Sequence, residues 1–163
     1  MLGSDGLPRA GDDLAHMAEA LAEARDAAAH DDVPIGAVVV RAGKIVARAH
    51  NRREADADPT AHAEVLALRD AGAALRRWRL GDCALYVTVE PCAMCAGAVI
   101  LARVPLVVFA ATDEKAGAVV SVAQLFEERR LNHHPRWRLG VRRAESEALL
   151  KQFFATHRGV SSA

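Results

Sequence analysis

No stretch of this sequence stays apolar for the roughly 18 residues that a bilayer span requires, so a membrane-spanning helix is not expected. The opening segment, Met1 to Asp13, lacks the basic and apolar regions of a secretory signal. Cysteine is scarce: Cys83, Cys92 and Cys95 are the three in 163 residues. An odd count, with two of them three residues apart, makes a poor disulfide framework. A reducing compartment and metal ligation explain it better. Internal repeats and low-complexity linkers are absent as well. The expectation is one domain over residues 1–163, with flexible ends at about 1–11 and 158–163, in a soluble cytoplasmic protein.

Net charge is missing too, because 21 Lys and Arg balance 21 Asp and Glu. That argues against a general nucleic-acid coat. The balance is uneven along the chain. Residues 1–34 hold eight acids and two bases, for −6, and the remainder holds thirteen acids and nineteen bases, for +6. A basic region on the later part could meet a phosphate backbone. Charge alone equally allows a solvated, Arg-rich surface.

What is present is apolar content, at 52% of residues, enough at this length for a core without staples. Leu14, Met17, Ala18, Leu21 and Ala28 recur near one helical face and predict a helix over about 12–29. The run 35–40, the turn 41–44 and the run 45–47 read as a β-hairpin. Asp58-Pro59-Thr60 offers a helix start, and residues 61–73 favour helix. Residues 85–89 read as a strand, 92–102 as a helix opened by Pro91, and 106–109 as a fourth strand. Helix is expected over 119–130, a fifth strand over 138–142 and a closing helix over 145–157. The connection from Phe109 to Arg138 is long enough for a crossover, so strands four and five could be parallel. The alternation gives an α/β fold: a three-layer α/β/α sandwich with a mixed five-stranded sheet.

Two segments carry chemistry: His62-Ala63-Glu64 and Pro91-Cys92-Ala93-Met94-Cys95. Cys92 and Cys95 lie on one helical face, and a helix N-terminus helps to keep thiolates ionised. Two thiolates and an imidazole fill three positions of a tetrahedral zinc. Structural sites close with four protein ligands, whereas catalytic ones leave a position for water. Glu64, two residues after His62, can reach that water without ligating and move its proton. A lone Cys-x-x-Cys could be a redox pair or two core cysteines, and a lone His-x-Glu means little. In this order, with the proline before Cys92, they point to a zinc deaminase site. Cys83 reads as a buried small residue, and His16, His30, His50 and His157 as surface or packing residues.

The residues around these motifs extend the match. Asp58 to Glu64, Leu85 to Ala98, Val33 to Val38, and Val107 to Phe109 followed by Asp113, Lys115 and Gly117 closely resemble the bacterial tRNA-specific adenosine deaminases. The zinc motifs alone resemble the wider cytidine-deaminase-like superfamily. The resemblance runs from about residue 13 to about 155. It implies a cytidine-deaminase-like fold, one zinc ion per chain, and hydrolysis of adenosine to inosine at the wobble position of a tRNA anticodon. It further implies that Asn51 hydrogen-bonds a flipped-out base, that the Ala63 backbone reads the base's edge, and that Ile35 lines the pocket. Asp113 would meet the ribose and Lys115 a phosphate. The resemblance also implies a homodimer acting on the anticodon stem-loop. Taken alone, Asn51 could cap a turn, Asp113 and Lys115 could form a charged loop, and Ile35 could be plain core. The chain departs from the family at His50, commonly tryptophan, at Val119-Val120, and in a weakly basic tail over 156–163. The competing readings are a deaminase of a free base such as guanine or cytosine, and a non-catalytic RNA-binding or zinc-structural protein.

Overall fold

The structure is a computed structural model and describes residues 2–158. The hairpin forms as β1 (Gly36–Arg41) and β2 (Lys44–His50). Ala42 and Gly43 at its turn have φ of 49° and 76°, the left-handed pair that a two-residue connection between twisted strands requires. β1 also pairs antiparallel with β3 (Cys83–Val89). β3 runs parallel to β4 (Leu106–Ala111), and β4 parallel to β5 (Arg136–Leu139). The sheet is therefore mixed and five-stranded, in the order β2-β1-β3-β4-β5.

Both faces of this sheet are covered, which is why all seven residues of β3 are buried. On one face, Val39, Leu85, Val87, Val107 and Phe109 pack with Ala67, Ala71, Val99 and Ile100. Those last four belong to α3 (Ala63–Leu75) and α4 (Ala93–Leu101). On the other face, Val38, Val40, Tyr86 and Val108 meet Met17, Ala20 and Leu21 of α1 (Asp13–Ala29), with Leu149 of α5 (Arg143–His157) beside them. The three expected layers are present. A single short turn, α2 (Arg53–Asp56), precedes α3. The buried carboxylate of Asp32 accepts hydrogen bonds from the Glu54 and Ala55 N–H groups at 3.0 and 3.2 Å, holding that turn. Among the described residues, no helix is long and apolar enough to cross a membrane.

Three expectations about local structure, on the α1 face, on residues 119–130 and on the last strand, are corrected. The α1 face is rotated: Leu14 is 57% exposed, while Ala20, Ala24 and Ala27 are fully buried. The cause is Gly36, where a Cβ would collide with the Ala20 carbonyl and the Ala24 amide. Helix and strand touch backbone to backbone there. Residues 2–12 lie against the fold: Leu7 is buried, Leu2 bridges Pro8, and a short 3-10 turn spans Ala10–Asp12. The other expected flexible end lies, beyond Arg158, outside the described residues. No helix forms over 119–130. That stretch is turns and one 3-10 element, Leu125–Glu127, because the N–H groups of Val119, Val120 and Ser121 all donate to Glu90. The last strand ends at Leu139 rather than continuing to residue 142, with Gly140 at φ 95° turning the chain into α5.

Candidate active site

The parallel strands β3 and β4 end at the same edge of the sheet, where α/β folds place their ligands. The chain leaves β3 through Glu90 and Pro91 directly into α4, and leaves β4 into the loop beginning at Thr112. His62 caps the start of α3 in an extended conformation (φ −81°, ψ 146°), and Cys92 caps α4 similarly (φ −72°, ψ 177°). Cys95 follows one turn later and is buried.

His62, thirty positions before Cys92 and thirty-three before Cys95, converges with them. His62 Nδ1 lies 3.6 Å from the sulfur of Cys92 and 3.6 Å from that of Cys95. Zinc bonds of about 2.3 Å to sulfur and 2.0–2.1 Å to nitrogen, at a tetrahedral angle, put sulfur and nitrogen about 3.5–3.6 Å apart. The donor set and its spacing fit such an ion, and all three ligand atoms lie within 4.8 Å of one another. The hydrogen bond from Cys95 holds the Cys92 thiol down at about 4; burial opposes this, and His62 adds to it. Cys95, donating to Cys92 and buried, is pushed upward. The hydrogen bond with Cys92 raises His62. A divalent cation among them would replace the proton that Cys95 keeps, and both sulfurs would ligate as thiolates.

Glu64 sits in the first turn of α3 and is only 4% exposed. Burial raises its carboxyl from the usual range to about 7, with the nearby Cys92 charge pushing the same way. A carboxyl balanced near neutral pH can both accept and return a proton. The carboxyl lines one cavity with His62 and Cys92, so it lies beside the ligand-type group.

A cavity of about 220 Å³ opens on this group. Ile35, Asn51 and Asp113 line it together with His62, Glu64 and Cys92. Asn51 is buried, and its Oδ1 accepts the Ala63 N–H at 2.9 Å. The Ala63 amide is thus engaged in holding Asn51. Asp113 turns its own loop, with Oδ1 accepting the N–H groups of Lys115 at 3.0 Å and Ala116 at 3.2 Å. Lys115 lines an adjoining cleft of about 380 Å³ that shares Val33, Ile35, Asp113 and Phe154 with the cavity. Sequence reasoning missed Arg53, Glu90 and Phe154, which also line the cavity. An acid closing the apolar run before Pro91 was a usable signal for Glu90. Phe154 arrives from α5, and nothing in its local pattern marks it.

His50, one residue before Asn51, pairs its Nδ1 with Glu23 at 2.9 Å. Glu23, Asp26 and His50 form a second close group of ligand-type atoms, with Asp26 exposed.

Comparison with known proteins places this geometry. The family model for MafB19-like deaminases matches residues 11–158. The tRNA-specific adenosine deaminase of Bacillus subtilis (strain 168) is 48% identical over 142 residues, covering 87% of this chain and 88% of its own. A solved structure from work on A-to-I editing by tRNA:A34 deaminases at the wobble position is 43% identical with a TM-score of 0.81, covering 83% of this chain and 99% of that one. A guanine deaminase structure from Nitrosomonas europaea is 27% identical with a TM-score of 0.73, covering 95% and 86%.

Proposed function

The chain belongs to the family of tRNA-specific adenosine deaminases, and we propose that it converts adenosine to inosine at the wobble position of a tRNA anticodon. The observation that carries this reading is the single cavity joining Glu64, the His62–Cys92 ligand edge, Asn51 and Asp113. The reaction consumes one water and releases one ammonia: a C6–O bond forms and the C6–N bond breaks. His62, Cys92 and Cys95 are the residues that would hold a zinc ion, which, when bound, activates water near neutral pH. Glu64 takes the proton from the attacking water and passes it to the ring nitrogen. It then takes the remaining proton from the new C6 hydroxyl, which becomes the carbonyl, and delivers it to the amine, which leaves as ammonia.

The remaining residues place the base. With Oδ1 fixed by the Ala63 N–H, the Asn51 amide presents its NH2 as a donor to the flipped adenine. Ile35 packs on the ring, Asp113 takes the ribose, and Lys115, in the adjoining cleft, takes a phosphate. Substrate is the anticodon stem-loop, and the site of action is the cytoplasm.

A homodimer is part of the same reading. Between α3 and α4 runs an apolar groove of about 600 Å³ lined by Val65, Leu68, Ala98 and Leu101. Leu101 is 72% exposed and Trp78, at its rim, 62%. Exposed apolar area of this kind marks an interaction surface, and a second copy of the chain is the occupant proposed.

Deamination of a free base would use the same Glu64 and ligand set, so the substrate must be tested directly. Purified protein is incubated with an anticodon stem-loop, free guanine or free cytosine, and ammonia is measured. Release from the RNA alone is expected. Release from guanine and none from RNA would replace this reading with the base deaminase.

A further inference from the structure

We propose that Glu90 is a positioning residue for the substrate pocket: it clamps the 112–121 loop, and so fixes Asp113 and Lys115 in the shape that receives RNA. The proposal rests on the function given above. Glu90 follows β3 and is 2% exposed. Among the described residues no Lys, Arg or His forms an ion pair with it. Its five acceptor contacts come instead from the two ends of one loop. Oε1 accepts the N–H groups of Val119 at 3.2 Å, Val120 at 2.7 Å and Ser121 at 2.9 Å. Oε2 accepts the Asp113 N–H at 3.0 Å and the Ser121 hydroxyl at 2.5 Å.

Only a side chain with two acceptor oxygens can close both ends at once. The loop has no helix or strand to shape it; these bonds tie its two ends together, while the Asp113 side chain and carbonyl turn its middle. Gly117, inside the loop, pairs with Cys92 across an isolated bridge. A Cβ at Gly117 would collide with the Glu90 carboxylate and the Asp113 carbonyl. The loop therefore closes over Glu90 with no space left. Glu90 acts on substrate through Asp113 and Lys115, and no contact with the reacting atoms is invoked.

Two full-length variants test this, Glu90→Gln and Gly117→Ala. Glutamine keeps the volume but turns an NH2 towards donors at one end. Alanine at 117 keeps the carboxylate but pushes the loop away from it. Steady-state deamination of an anticodon stem-loop, zinc content and Tm are measured for each and for the parent. Leaving one buried donor unmatched is expected to raise KM about tenfold, with kcat falling far less and one zinc per chain retained. A lowered Tm with parental KM would reduce Glu90 to a structural staple and overturn the proposal. So would zinc loss with kcat falling at unchanged KM, which would put its action on Cys92. If the parent itself forms no inosine, the functional reading fails and this proposal with it; parental KM in both variants overturns the proposal alone.

Discussion

Replacing Glu64 with glutamine is expected to lower kcat by at least about 10³-fold, close to 4 kcal/mol of barrier, with metal content and fold unchanged. The reasoning starts from geometry. The carboxyl is buried and lines the cavity with His62 and Cys92. It is not one of the three clustered ligand residues. Glutamine has nearly the same volume, so α3 and its packing are preserved, and the side chain can still hydrogen-bond. What it cannot do is take a proton from water and return it to the leaving amine. Both proton transfers are therefore lost with one atom changed. KM should move little, because Asn51 and Ile35, the residues proposed to hold the base, are unchanged and still line the cavity. Single-turnover assays with parent and variant, alongside metal analysis, check this. Equal rates would remove Glu64 from the chemistry, and loss of metal would reassign it as a ligand.

Replacing Cys95 with alanine is expected to have the opposite pattern, removing metal and activity together. Cys95 would supply one of three donors, and its sulfur is 3.6 Å from His62 Nδ1. Losing even an outer partner of a metal ligand costs 10–100-fold in affinity. Losing a ligand should therefore cost more than about 100-fold. Stability should fall as well, because an ion bound only by the folded chain stabilises it, by about 4 kcal/mol at a thousandfold excess over Kd. For a chain of this length that corresponds to a Tm lower by about 10 °C. The variant's Tm should then be insensitive to a chelator, whereas the parent's should drop on chelation. A variant that keeps one metal ion per chain and a chelator-sensitive Tm would contradict the assigned ligand set.

The convergence of His62, Cys92 and Cys95 was readable in the sequence because their spacing encodes geometry. Cysteines three apart at a helix start must share a face, and a histidine opening another helix needs only one convergence to join them. The sheet was readable for a similar reason. Residues 36–40, 83–89 and 106–111 are dense in β-branched and apolar side chains, and in a sheet covered on both faces that density is what marks a strand. The α1 register was not readable. Its alanines lie all round the helix, so periodicity offers no unique face, and Gly36, sixteen residues beyond Ala20, decides the matter by contact. The 119–130 segment failed for a related reason. Its local pattern suits a helix, yet its amides are taken by Glu90, some thirty residues earlier. Phe154 reaches the cavity only because α5 folds back across β3 and β4. Such long-range contacts leave no local trace. Asn51, Ile35 and Asp113 were named through family resemblance, and the fold brings all three to one cavity with Glu64.

The central claim is that this cavity, with Glu64 beside the His62–Cys92–Cys95 group, deaminates one adenosine of an RNA. The most direct measurement is position-resolved inosine detection in an anticodon stem-loop after incubation with the zinc-loaded protein. The account predicts inosine at the wobble position, one per RNA, with ammonia released in equal amount. Unmodified wobble adenosine in the presence of zinc-loaded, folded protein would contradict it.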